Sequence, residues 1–134
     1  MSDDLQQKMV RFQVLEMNLS VVRKKYEEVL KSMEELEVSR ATMEGLKHLK
    51  PSEALIPVGA NNYICGKVEG AEDIMVWIGG GVVLKKKRSE AIRVIGDRVK
   101  ELNGIADELA KQEHHILAEL QKLQPEIERI SQGR

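Results

Sequence analysis

The feature that most constrains this chain is a seven-residue apolar period that runs through its last third. Ile92, Val99, Ala106, Glu113, Leu120 and Ile127 form one column, and Ile95, Leu102, Leu109, Ile116, Leu123 and Ile130 form the other. Steps of three and four sustained over this length describe a helix with one narrow apolar stripe, the seam of a coiled coil. Glu113 is the one polar intrusion in the two columns. The helix is expected over about 89–130. Gly96 and Gly104 lie off the seam, and each lowers helix propensity by about 1 kcal/mol relative to alanine. Seam packing is expected to absorb that loss. Pro125 is expected to kink or weaken the last turns, because it removes a backbone donor and crowds the preceding turn.

The beginning of the chain repeats the pattern. Leu5, Phe12, Leu19, Tyr26 and Met33 form one column, and Leu15, Val22, Val29, Leu36 and Met43 the other. The repeat falters at Arg40 and Lys47, where Leu46 and Leu49 continue in a shifted register. Asp3 and Asp4 favour the first turn of a helix, and Pro51 is expected to end it by forcing Lys50 towards extended geometry. The expected helix covers about 5–50. Each helix would span roughly 60–65 Å at 1.5 Å per residue, too long for one stripe to be stable without a partner. An antiparallel hairpin of the two is the simplest arrangement. Single helices that dimerise between chains are the alternative.

Between them, residues 54–87 change character. Short β-prone runs, with alternation at Ile64, Gly66 and Val68, at Ile74, Val76 and Ile78, and at Val82 and Leu84, are broken by turn-forming residues. Two hairpins are predicted, turning at Asn61–Asn62 and at Gly79–Gly81. Pro57 belongs at a strand end or edge. Two such hairpins are too small to bury both faces, and the block Val76, Trp77, Ile78, Val82, Val83 and Leu84 calls for cover from another sheet. Val76, Ile78, Val82 and Leu84 are therefore the candidate oligomerisation residues. The fold class is α+β: a long antiparallel coiled-coil hairpin whose two central β-hairpins assemble into an oligomeric β-barrel body. The chain, 1–134, reads as one structural unit.

Composition narrows the function. The 134 residues are 32% charged and only 3% aromatic, which suits long surface helices better than a compact core. With 21 basic and 22 acidic residues the net charge is −1, which speaks against a general nucleic-acid binder. Lys85, Lys86, Lys87 and Arg88 form the one dense basic run; it reads first as a solvated strand-to-helix junction, and otherwise as a surface for an acidic partner or nucleic acid. Gly79–Gly81 lacks the Gly-Lys-Ser/Thr ending of a phosphate loop. His114 and His115 are adjacent and so diverge on a helix, and Cys65 has no sequence neighbour to activate it and is expected to pack in a strand. No catalytic residue, metal ligand or cofactor is expected. No apolar run reaches the about 18 residues of a membrane span, and MSDDLQQKM lacks the apolar stretch of a signal peptide, so a cytoplasmic protein is expected.

The order of helix, two hairpins and helix, together with the runs SEALIPVGANNYICGKV and DIMVWIGGGVVLKKKRSEAI, resembles the archaeal prefoldin alpha subunit family. Leu55, Ile56, Pro57, Val58 and Gly59 match one family run, Tyr63 and Ile64 a second, and Gly79, Gly81, Val83 and Glu90–Ala91–Ile92 the rest. Lys85 and Lys86 depart from it, standing where the family often has an acidic residue. The resemblance implies an ATP-independent chaperone subunit in a hexamer of two alpha-type and four beta-type subunits. Such an assembly holds unfolded proteins at coiled-coil tips and passes them to a group II chaperonin. The alternative is a structural or adaptor coiled coil that binds folded partners.

A holding function requires apolar groups that the seam leaves uncovered. At the N-terminal end Leu5, Met9, Val10 and Phe12 spread beyond a two-position stripe, and an antiparallel partner would bring Leu120, Leu123, Ile127 and Ile130 beside them. These eight are the candidate client-binding residues. Sealing the coiled coil is the competing role for Leu5, Phe12, Leu120 and Leu123, whereas Met9, with its adaptable side chain, and Val10, off the seam, favour clients.

Overall fold

The computed structural model describes residues 2–48 and 52–133. Helix α1 runs Ser2–Gly45 and is followed by a 3-10 turn at Leu46–His48; β1 is Ser52–Gly59, β2 Asn62–Val68, β3 Asp73–Gly79, β4 Val82–Lys87, and helix α2 is Arg88–Ser131. The two long helices form a coiled-coil hairpin, and the strands form two antiparallel β-hairpins. The α-helix thus gives way at Gly45, earlier than the expected end near residue 50. Leu49, Lys50 and Pro51, to which the register shift and the helix stop were assigned, lie outside the described residues.

Every residue of the four columns, Leu5 to Met43 in α1 and Ile92 to Ile130 in α2, is buried or half-buried. The chain divides into two compact units, Met1–Met33 with Glu101–Arg134, and Glu34–Lys100. In the first, the core is Leu15, Leu19 and Val22 of α1 with Leu102, Ala106, Leu109 and Leu123 of α2. Ion pairs cross the seam there: Lys8 to Glu126 at 3.2 Å, Arg11 to Glu119 at 2.7 Å and Arg23 to Glu113 at 2.9 Å. The partner's number falls as the α1 number rises, so the helices are antiparallel. The last pair accounts for the polar intrusion, since Glu113 accepts a hydrogen bond from Arg23 Nε while its stem completes the stripe.

Pro125 sits inside α2 without ending it. The expected weakening is not seen in the backbone, which remains helical for six further residues. The helix closes instead at Gly133, whose φ of 72° supplies the left-handed cap and whose N–H donates to the Ile130 carbonyl at 3.0 Å.

In the second unit, Ala91 is the most buried residue. The faltering of the heptad at Arg40 has a counterpart in α2. A Cβ at Gly96 would lie 3.3 Å from Arg40 Nη1, so the glycine leaves room for a guanidinium where the stripe expects an apolar group. Glu37 fixes that guanidinium at 2.6 Å.

The two hairpins are separate two-stranded sheets with the same turn design. Gly59 pairs with Asn62 and Gly79 with Val82, which leaves Ala60–Asn61 and Gly80–Gly81 as two-residue loops. All four loop residues have positive φ, the requirement of a type I′ turn, and Gly59 and Gly79 at 110° and 106° form the irregular step before each. The first turn therefore lies one residue earlier than Asn61–Asn62. Asn62 already belongs to β2. Pro57 lies beside the register shift, in a sheet where each strand is an edge.

Candidate functional site

Heptad geometry fixes which side chains of α1 are left over. With Leu5, Phe12 and Leu19 in one seam column and Leu15 and Val22 in the other, Met9 falls on the flank of the seam and Val10 on the opposite face. The exposures agree, at 47% for Met9 and 53% for Val10. Met9, Phe12, Gln13 and Glu16 of α1 and Gln124, Ile127 and Glu128 of α2 line an open groove of about 350 Å³. Of the eight candidate client-binding residues, the structure gathers Met9, Phe12 and Ile127 in this groove. Leu5, Leu120 and Ile130 are half-buried in the seam columns, and Leu123, only 9% exposed, is sealed in the core. Val10 faces away, beside Asp3, Gln6, Gln7, Arg11 and Val14.

On the face of Val10, three exposed apolar residues escaped the sequence reading. Val14, Met17 and Val21 follow Val10 at steps of four, three and four, and all stand open to solvent. The signal was available in the near absence of charge between Phe12 and Val22, where Glu16 is the one ionic residue.

The hairpins display a further set of exposed apolar groups. Alternation along β3 and β4 puts Ile74, Val76, Leu84 and Lys86 on one face and Asp73, Met75, Trp77, Val83, Lys85 and Lys87 on the other. Of the four candidate oligomerisation residues, Val76 and Leu84 are cross-strand partners; Val76 is half-buried and Leu84 exposed. Val82 and Ile78 are exposed next to the turn. The more open face carries Trp77, at 69% the most exposed large apolar residue of the chain's described part, with Met75 and Val83. In the first hairpin Leu55, Ile56, Val58, Tyr63 and Ile64 are exposed as well. Cys65, expected to pack in its strand, is exposed there opposite Leu55.

The basic run is neutralised locally. Lys85 and Lys87 both reach Asp73, at 3.6 and 3.2 Å, and Lys86 reaches Glu90 at 3.2 Å. Arg88 is largely buried, donating from Nη1 to the Ala71 carbonyl at 3.0 Å with Glu72 at 3.9 Å. The hydrogen bond from Lys87, reinforced by the charges of both lysines, holds the Asp73 carboxyl below its ordinary pKa. Such a network ties the connection between the hairpins to the start of α2.

Among the described residues no group of histidine, cysteine, aspartate and glutamate side chains is placed to hold a metal ion. Likewise no helix among them is long and apolar enough to cross a membrane.

Comparison with known proteins agrees with that geometry. Residues 15–133 match the family described as Prefoldin subunit. The prefoldin subunit alpha of Pyrococcus horikoshii is 28% identical over 131 residues, covering 96% of this chain and 86% of the relative. That of Methanobrevibacter smithii is 26% identical over 116 residues, 84% of this chain and 80% of the relative. Among solved structures, the cryo-electron microscopy structure of filamentous PFD from Methanocaldococcus jannaschii superposes with a TM-score of 0.74, covering 84% of this chain and 93% of that one at 23% identity, and so shares the fold. The family match over most of the chain, the alpha-subunit relatives and the shared architecture agree: the chain belongs to the archaeal prefoldin alpha subunit family.

Proposed function

We propose that this chain is a subunit of a cytoplasmic assembly that holds unfolded proteins without ATP and passes them to a group II chaperonin. Membership of the family carries the general chaperone role and the absence of catalysis. The observation that supports the specific reading is the open groove in which Met9, Phe12 and Ile127 come together beside the seam. An apolar surface held open by rigid helices contacts clients weakly, and several copies in one assembly convert weak contacts into avidity. The hairpin faces, Val76, Ile78, Val82 and Leu84 among them, supply the joints of a body shared with beta-type subunits in a hexamer of two alpha-type and four beta-type chains. The fold shared with a filamentous PFD favours one second reading, in which this chain assembles with itself.

Native mass, measured alone and with a beta-type partner, separates the two assemblies. An aggregation assay without ATP on an unfolded client then tests the groove. Replacing Met9 and Ile127 by serine is expected to abolish suppression of aggregation while the assembled mass is unchanged. A stable assembly that never suppresses aggregation would instead mark an adaptor that binds folded partners.

A further inference from the structure

A strict seven-residue repeat does not by itself fix the alignment of two helices. Two apolar stripes of this period meet equally well when one helix is displaced along the other by one repeat, because each seam residue then faces the next of its kind. The ion pairs near the end of the seam do little to settle the matter. Displaced one way, Lys8 comes opposite Glu119; displaced the other way, Arg11 comes opposite Glu126, so one pair of opposite charges survives in each case. Ala106, the one small residue of the α2 columns, leaves a void when displaced but no uncompensated charge. The polar interruptions of the repeat do distinguish the alignments.

Each interruption is answered by the facing helix. In the unit of Met1–Met33 with Glu101–Arg134, Glu113 stands half-buried in a column of α2, and Arg23 on the flank of α1 donates to it at 2.9 Å. Displaced by one repeat, Glu113 would meet Glu16 or Leu30, a like charge or an apolar group. In the unit Glu34–Lys100, Arg40 stands half-buried in a column of α1, and α2 answers with Gly96, which has no side chain to obstruct the guanidinium. Two hydrogen bonds to Glu37, at 2.6 and 2.7 Å, hold Arg40 there. Displaced by one repeat, Arg40 would meet Ser89 or Asn103, whose side chains would fill the space that Gly96 leaves open. The step from Arg23 forward to Arg40 equals the step from Glu113 back to Gly96, so both pairs mark the same alignment.

We propose that these two pairs, Arg23 with Glu113 and Arg40 with Gly96, form a register key. They confine the hairpin to one alignment of its helices, weaken the seam in doing so, and position Met9 and Phe12 beside Ile127 in the groove. A polar residue at a seam position acts in this way in coiled coils generally, lowering stability while excluding other alignments. Here an excluded alignment would carry Ile127 about 10 Å along α1, the rise of one repeat at 1.5 Å per residue. Met9 and Phe12 would then lose their neighbour across the seam. The four residues of the key are positioning residues, and the key holds whatever the groove contacts.

The test is the distance between spin labels at Gln13 and Gln112, read by electron–electron double resonance in the assembled full-length protein carrying Cys65→Ser. Labelled chains are diluted among unlabelled ones, so that the distance is read within one chain. Both label sites are exposed, and they lie well apart along the helix axis, so sliding one helix changes their separation by most of the slide. Glu113→Leu with Arg40→Leu makes both columns continuously apolar. That variant is expected to raise the thermal midpoint, followed by circular dichroism, by roughly 5 °C. It is also expected to add to the single distance a second population about 10 Å away. More stability with less definition is the signature of a key, and ordinary ties between helices would not produce it. A single unchanged distance in the variant overturns the proposal, whichever way the midpoint moves. So does a lower midpoint, since the pairs would then strengthen the seam that a key weakens.

Discussion

Leu19 and Leu109 are buried within one chain, between two helices of the same coiled coil, whereas Trp77, Met75 and Val83 of the second hairpin stand open to solvent. Both regions are built from large apolar residues at regular spacing. They differ in how many faces the secondary structure creates. A heptad concentrates its apolar groups on one stripe, and an antiparallel neighbour covers it. In a strand, apolar residues at consecutive positions, as in Ile74 to Ile78, necessarily point to both faces, and a two-stranded sheet has neither face covered. The seam of the helices is thus covered inside the chain, whereas the hairpins keep apolar groups open on both faces.

The largest effect should come from breaking the hairpin side of this contrast. Trp77→Ser with Val83→Ser removes two cross-strand partners from the more exposed face. Large aromatic residues of this kind carry much of the energy of an interface. Native mass is expected to fall to that of smaller species, down to the single chain, while far-ultraviolet circular dichroism keeps its helical signal. Survival of the full assembly would move the joints to the opposite face of the same hairpin, with Val76 and Leu84, or to the first hairpin, with Leu55, Tyr63 and Ile64.

A smaller effect is expected on the helical side. Leu109 is buried in the seam, so Leu109→Ala leaves a cavity and should lower stability by about 2–5 kcal/mol. Chemical denaturation followed by circular dichroism reads that loss. The two variants together sharpen the contrast: the serine pair alters mass with little change in helix stability, and the alanine alters helix stability with little change in mass. If both moved both readouts equally, the division between covered and uncovered apolar groups would not hold.

These differences explain what was legible in the residues. The seam columns could be named in full because a seven-residue period is a one-dimensional signal, and burial follows from it. The strands were legible as strands, but their turn was displaced by one residue at Ala60, which adopts a φ of 49° although alanine has no preference for it. The loop length, fixed by pairing Gly59 with Asn62, decides that conformation over the side chain's own preference. Pro125 looked disruptive because propensity is local, whereas α2 is held by Leu123 before it and by Ile127 and Ile130 after it. The candidate client site was legible at Met9, Phe12 and Ile127, which the antiparallel register brings together. Leu123 belongs to the same sequence stripe, but only a structure distinguishes the core of a seam from its open edge. Val14, Met17 and Val21 were missed because a search for one stripe stops once that stripe is found. The lysine run was read as a charged surface, while its pairing with Asp73 depends on a cross-strand register that composition does not reveal.

The smallest expected effect concerns that register. Asp73 is the cross-strand partner of Lys87, and the two lysines beside it depress its pKa in the folded chain. A carboxylate whose folded pKa lies below its unfolded one contributes stability above the unfolded value, near 3.8, and loses that contribution as pH falls through the folded value. The base of the second hairpin should therefore loosen in acid below the ordinary aspartate range and be indifferent to pH between 5 and 7 on this account. Asp73→Asn removes the charge and should flatten that acid response without changing the turn at Gly80–Gly81. Amide hydrogen exchange of β3 and β4 against pH, compared in the two proteins, provides the measurement. An unchanged acid response in the asparagine variant would assign the loosening to other carboxylates, and would leave the hairpin base held by its backbone ladder and by Arg88 on Ala71 and Glu72 instead of by the Asp73 pairs.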